Sequence, residues 1–133
     1  LLINGFAPQN ATQAAKELAT LGIDARLLEI HSLKPFDRDL LLQAAEETGA
    51  LVTAEEHNIT GGLGSAVAET LVEAHPVPLE RVGIHDRFCP TGRNLDKLMD
   101  ACGLSVAEVV AASQRVLERK NNSPQRILRD TKD

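Results

Sequence analysis

Ala50-Leu51-Val52-Thr53-Ala54-Glu55-Glu56-His57-Asn58-Ile59-Thr60-Gly61-Gly62-Leu63-Gly64-Ser65-Ala66-Val67-Ala68-Glu69 is the stretch whose reading decides the fold. Its first five residues form a short apolar run of the kind that makes a buried strand. Its last part opens an amphipathic helix, with Leu63, Ala66, Val67, Thr70, Leu71 and Ala74 on one stripe, and Pro76 and Pro78 end that helix. Between the two lie Glu55, Glu56, His57 and the glycines Gly61, Gly62 and Gly64. A strand that turns through glycines into a helix is half of a βαβ unit, which belongs to a parallel sheet.

The same alternation repeats on both sides. Upstream, Leu1-Leu2-Ile3 reads as a strand, and Asn10 stands three residues before Gln13 in capping-box spacing. Ala11, Ala14, Ala15, Leu18 and Leu21 follow at helical spacing up to Gly22. Leu27, Leu28 and Ile30 make a second strand, and Asp37 caps a helix carrying Leu40, Leu41, Ala44 and Ala45 that stops at Gly49. Downstream, Leu79, Val82 and Ile84 mark a fourth strand. Leu95, Leu98, Met99 and Cys102 mark a short helix ending at Gly103. Ser105 and Glu108 open a last helix that buries Val106, Val109, Val110 and Leu117. Right-handed crossovers put helices on both faces, so the fold class is a three-layer α/β/α sandwich around a mainly parallel sheet. Residues 1–119 make one domain, and residues 120–133, beginning Lys120-Asn121-Asn122-Ser123-Pro124, make a polar tail without periodicity that is expected to be poorly ordered. The chain opens inside an apolar run, which reads as a piece of a larger polypeptide.

Composition excludes several kinds of partner. Fourteen basic against nineteen acidic residues give a net charge of -5, the wrong sign for a nucleic-acid binder. Three Phe, no Tyr and no Trp offer no stacking surface for single-stranded bases. Two cysteines are too few to staple a small secreted fold, and no apolar run reaches the length of a membrane span. The expectation is a cytoplasmic protein with neither nucleic acid nor membrane as partner.

Two segments carry residues with chemical potential, each at the end of a strand, where open α/β sheets place ligands. In the first, Gly61-Gly62-Leu63-Gly64 precedes a helix whose amides face an anion in favourable cases. Its spacing matches neither the dinucleotide fingerprint nor a P-loop, and the preferred reading is a tight turn with close helix packing. Glu55 and His57 share one side of an extended strand while Glu56 faces away. His31, His75 and His85 show no metal-ligand spacing, and Cys89 and Cys102 lie far apart in sequence with no Cys-x-x-Cys and no neighbouring base. In the second segment, Gly83-Ile84-His85-Asp86-Arg87-Phe88-Cys89-Pro90-Thr91-Gly92, Asp86 and Arg87 suit a substrate phosphate or a neighbouring domain, and Phe88 suits an anchoring contact. Either use makes an interface.

On these segments the chain resembles the C-terminal domain of transketolases, from about Leu1 to Leu117. The resemblance rests on Val52-Thr53-Ala54-Glu55-Glu56-His57 with Gly61-Gly62-Leu63-Gly64-Ser65-Ala66-Val67-Ala68-Glu69. Gly83-Ile84-His85-Asp86-Arg87-Phe88, Thr91-Gly92, Leu98-Met99, Gly103-Leu104 and the loop Ser32-Leu33-Lys34-Pro35-Phe36-Asp37 support it in order and spacing. Deoxyxylulose-phosphate synthase and the β subunit of pyruvate dehydrogenase share the domain, but their usual Glu-Glu-Gly fits Glu55-Glu56-His57 less well. The resemblance implies a sheet of four to five strands, the fifth antiparallel and preceding Leu1. It implies the third domain of an enzyme that transfers two-carbon ketol units between sugar phosphates. In that family thiamine diphosphate and a divalent metal (Mg) sit between the other two domains, so no catalytic, cofactor-binding or metal residue is carried onto this chain. The implied role is assembly and packing within a homodimer, with the cofactor-binding domains or subunit of the same enzyme as partners. Glu56, His57, Ile59, Gly61, Gly62, Leu63, Gly64, Asp86, Arg87 and Phe88 are the candidate interface or anion-contact residues. The alternatives are a free-standing small-anion-binding module using the glycine turn, or the same domain of another thiamine-diphosphate enzyme, deoxyxylulose-phosphate synthase or the β subunit of pyruvate dehydrogenase. Asn4-Gly5-Phe6-Ala7-Pro8 departs from the family's usual Thr-Gly-Ser-type turn.

Overall fold

A computed structural model describes residues 1–5 and 8–122, with the backbone alone at positions 8 and 9. The elements run β1 (Leu2–Asn4), α1 (Pro8–Thr20), β2 (Leu28–Glu29), α2 (Arg38–Thr48), β3 (Leu51–Asn58), α3 (Leu63–Ala74), β4 (Leu79–Ile84), α4 (Leu95–Cys102) and α5 (Val106–Asn121). The strands form one sheet in the order β2-β1-β3-β4, every described pair parallel. Leu2 pairs with Leu28 on one side and Thr53 on the other.

Side chains alternate across this sheet and so build two cores. Ile3, Val52, Ala54 and Val82 face Ala11, Ala14, Met99, Cys102, Val109, Ala112 and Val116, which is the α1, α4 and α5 layer. Leu2 and Leu51 face Leu41, Ala44, Ala45, Leu63, Val67 and Leu71 of α2 and α3. The three-layer α/β/α expectation therefore holds, with four parallel strands among the described residues.

Local chemistry sets most boundaries. Asp37 Oδ1 accepts from Leu40 N at 3.0 Å, and Gly49 ends α2 in the left-handed conformation with φ 64°. Asn94 Oδ1 caps α4 through Lys97 N, and Ser105 Oγ caps α5 through Glu108 N. The Glu108 carboxylate does not return to close the box; it pairs with Arg115 instead.

Four expectations are corrected. α1 begins at Pro8, so Asn10 is helical and not a cap; proline suits the first helical position, where its missing N–H is no loss. β3 runs on to Asn58, which makes Glu55, Glu56 and His57 strand residues. The α5 core positions are Val109, Ala112, Ser113 and Val116, with Val106, Val110 and Leu117 only partly buried against them. α5 also continues through Asn121, past the proposed domain end at residue 119. The remainder of the expected tail, residues 123–133, and Phe6-Ala7 of the first turn lie outside the described residues.

Cys89 and Cys102, far apart in sequence, meet in space and are joined by a disulfide, with 5.7 Å between their Cα atoms. Among the described residues no helix is long and apolar enough to cross a membrane.

Candidate functional site

The site is built by an irregularity in β3. Ala54 pairs with Val82 but Asn58 pairs with Ile84, so four steps along β3 match two along β4. The two extra residues form a bulge over Glu55–His57, and bulges re-aim side chains at strand ends. Gly83 lies against it: a Cβ there would stand 2.7 Å from Ile59 Cγ2, 3.1 Å from the His57 carbonyl oxygen and 3.3 Å from Glu55 Cγ. The two segments singled out in the sequence therefore meet at the carboxyl end of the same sheet.

Glu55 shares the sheet face of Leu51 and Thr53, toward α3, and is 2% exposed. Its Oε2 accepts from Leu63 N at 2.6 Å and its Oε1 from Gly64 N at 2.8 Å. These are the first two amides of α3, which lack partners within the helix, and Gly62 at the cap position has no side chain to serve them. A carboxylate eight residues upstream fills that place, favoured by two charge-assisted hydrogen bonds and the positive end of the helix dipole. Gly62 is glycine because a Cβ would overlap the Glu55 carboxylate and stand 3.0 Å from His57 Nδ1. Gly61 takes φ +81°, a left-handed conformation that glycine adopts freely.

The rest of the turn is closed by its own groups. Ser65 Oγ accepts from Gly61 N and donates to the Ile59 carbonyl, which also accepts from Arg81 Nη1 at 3.0 Å. Asn58 Oδ1 accepts from Thr60 N at 2.9 Å. Glu56 and His57 are exposed, with His57 Nδ1 2.8 Å from the Asn58 carbonyl oxygen. Ile59 is half-buried. Leu63, one of the candidate contacts, is fully buried in the α2–α3 core and forms no part of a surface. Its stripe position made it a core residue, and that burial wins over its place beside the turn.

In the second segment Asp86 has φ 41°, Arg87 Nη2 donates to the Ala101 carbonyl at 2.7 Å, and the Phe88 side chain is fully exposed. Arg87 thus ties the loop to the carboxyl end of α4, where a cation is favoured.

Glu55 carries no local capping motif, since it lies eight residues before Leu63. The signal was present: a helix opening on Gly62 needs a carboxylate from elsewhere, and strand alternation turns Glu55, not Glu56, toward that helix. Gly83 as the bulge's partner had no local signal, because only strand pairing brings residues 55 and 83 together.

A cavity of about 550 Å³ opens at the other end of the sheet, among Leu1, Leu18, Leu51, Val116 and Lys120. Beside it Arg26 pairs with Glu47, and the Leu1 amine donates to the Arg26 carbonyl. Among the described residues no group of three or more His, Cys, Asp or Glu is placed to hold a metal ion.

The fold and site thus define an open parallel α/β domain whose ligand-ready helix terminus is filled by its own carboxylate. A sequence model of the family described as "Transketolase, C-terminal domain" matches residues 4–109, and the chain belongs to that family. It is 48% identical over 121 residues to the 6-deoxy-6-sulfo-D-fructose transketolase subunit SqwH of Clostridium sp. (strain MSTE9), covering 91% of this chain and 37% of that protein. It is 40% identical over 118 residues to 1-deoxy-D-xylulose-5-phosphate synthase 1 of Geobacter sulfurreducens, covering 87% of this chain and 18% of the relative. A solved structure titled "Split gene transketolase, inactive beta4 tetramer" superposes with a TM-score of 0.82 at 47% identity, covering 90% of this chain and 39% of the other. The chain thus spans well under half the length of these relatives.

Proposed function

We propose that this chain is the third, packing domain of a transketolase-type enzyme that moves two-carbon ketol units between sugar phosphates. It serves assembly, within a homodimer of the complete enzyme, and does no chemistry by itself. The observation that carries this reading is Glu55: its carboxylate occupies the Leu63 and Gly64 amides, the one place where the glycine turn presents an anion site. A free-standing anion-binding module would require a ligand to expel that buried carboxylate.

Thiamine diphosphate and its divalent metal need donors for a diphosphate and a set of oxygen ligands for the ion. At the glycine turn the two α3 amides are already taken by Glu55, and among the described residues no group of three or more His, Cys, Asp or Glu is placed to hold a metal ion. Both groups are assigned to the partner domains or subunit, and no residue of this chain takes a step of the reaction through them. The names of relatives support such a division, because the Clostridium protein is a transketolase subunit and the superposed structure comes from a split gene.

The test is the activity of the isolated chain. The chain alone, supplied with thiamine diphosphate, magnesium, xylulose 5-phosphate and ribose 5-phosphate, is expected to show no turnover and no cofactor binding by calorimetry. Turnover by the chain alone overturns the proposal.

A further inference from the structure

We propose that Cys89 and Cys102 form a reversible thiol–disulfide clasp that holds the loop after β4 against the carboxyl end of α4. The chain contains two cysteines, and the fold brings both to one place. Their Cα separation of 5.7 Å lies inside the range of roughly 4.4–6.8 Å that a disulfide bridges without backbone movement. Cys102 is buried in the α1–α4–α5 core, and Cys89 is half-buried against the same cluster. One sulfur is therefore fixed by packing and the other rides on the loop.

The loop has few other ties. Residues 85–94 form no helix or strand. Asp86 stands in a left-handed conformation and Phe88 points into solvent. Besides the clasp, and apart from the Asn94 cap at its far end, the bond from exposed Arg87 to the Ala101 carbonyl holds this segment to α4. Both anchors land on adjacent residues, Ala101 and Cys102, just before the left-handed Gly103 turn. With the disulfide closed, Phe88 is presented from a loop pinned at two points. With it open, the part of the loop around Phe88 keeps, among the described residues, the solvent-exposed Arg87 bond, and such a tie opens readily.

The oxidant is a low-molecular-weight disulfide, RSSR. The Cys89 thiolate attacks one sulfur, forming a mixed disulfide and releasing one RS⁻. The Cys102 thiolate then attacks Cys89 Sγ, forming the intramolecular bond and releasing the second RS⁻. The two protons lost by the cysteines go to the two released thiolates, so RSSR is reduced to two RSH as one S–S bond forms in the protein. Reduction runs in reverse, with an external thiolate attacking the more accessible Cys89 sulfur.

The full chain is equilibrated in glutathione buffers of graded composition, trapped with N-ethylmaleimide and digested with trypsin. Cleavage after Arg87, Arg93, Lys97 and Arg115 isolates residues 88–93 and 98–115, which are expected as one linked pair under oxidising conditions and as two separate alkylated peptides under reducing ones. Hydrogen exchange of residues 85–94 is expected to be about tenfold faster, or more, in the reduced chain. Cys89→Ser, which alters only a loop position, is expected to exchange like the reduced form in either buffer. Absence of the linked pair at every glutathione ratio overturns the proposal. So does a linked pair with equal exchange rates in the two forms, a comparison that needs no substitution and is unaffected by variant folding.

Discussion

Glu55 shows how much one buried carboxylate decides when a helix lacks a cap of its own. Replacing it by Ala leaves the Leu63 and Gly64 amides unpaired in the interior, and the expected loss of stability is about 3 kcal/mol or more. Gly62→Ala is expected to approach that loss, because its Cβ takes the space of the carboxylate, whereas Gly61→Ala, with no neighbour within 4 Å, costs only about 1 kcal/mol of left-handed strain. Urea midpoints of the three variants check the order. Thr53 gives the opposite case. Its Oγ1 is a buried side-chain atom without a hydrogen-bond partner, so Thr53→Val is expected to be neutral or stabilising by up to about 1 kcal/mol, read from the same midpoints.

At the scale of elements, the bulge in β3 and the glycine opposite it act as one unit. The extra residues let the strand carry Glu55 to α3 while Ile59 folds over Gly83. Gly83→Ala forces its Cβ against Ile59 and the His57 backbone carbonyl, which does not yield as a flexible side chain does. An overpacking loss of about 1–3 kcal/mol is expected, and Ile59→Ala should recover part of it in a double-mutant cycle. Additive losses would show that the two do not touch. The edge strand β4 is guarded by α5: Arg115 and Arg119 both pair with Glu80, and Arg119 also donates to the Leu79 carbonyl. Charged side chains and a blocked carbonyl discourage pairing with a further strand. The Arg115 guanidinium is held above its usual pKa, chiefly by its hydrogen bond to Glu108.

For the whole molecule, the two ends of the sheet differ in kind. The carboxyl end carries the closed glycine turn, half-buried Ile59 and the protruding Phe88. Phe88→Ser removes nothing from the core and is expected to change folding stability by less than about 0.5 kcal/mol. In the proposed assembly it weakens association with the cofactor-binding part by about tenfold or more, since exposed aromatics at interface centres dominate binding. Sedimentation of the reconstituted enzyme checks this, and unchanged association would take Phe88 out of the interface.

The strand–helix alternation was written in the sequence, because apolar periodicity, the Asp37 and Ser105 caps, and the Gly49 and Gly103 stops act within a few residues of one another. The family resemblance rested on the same local strings. Glu55 as the α3 cap was half legible: the capless Gly62 and the strand parity pointed to it, yet the length of β3 did not, since Glu55-Glu56-His57-Asn58 has no apolar run. Pro8 starting α1 against the Asn10 signal, Leu63 turning inward and the four-for-two register of β3 on β4 were settled by packing. The meeting of Cys89 with Cys102, and of Gly83 with the bulge, depends on which strands are neighbours. Local spacing fixes what a segment becomes; contacts between distant segments are fixed only when the sheet closes and each side chain finds the space its neighbours leave.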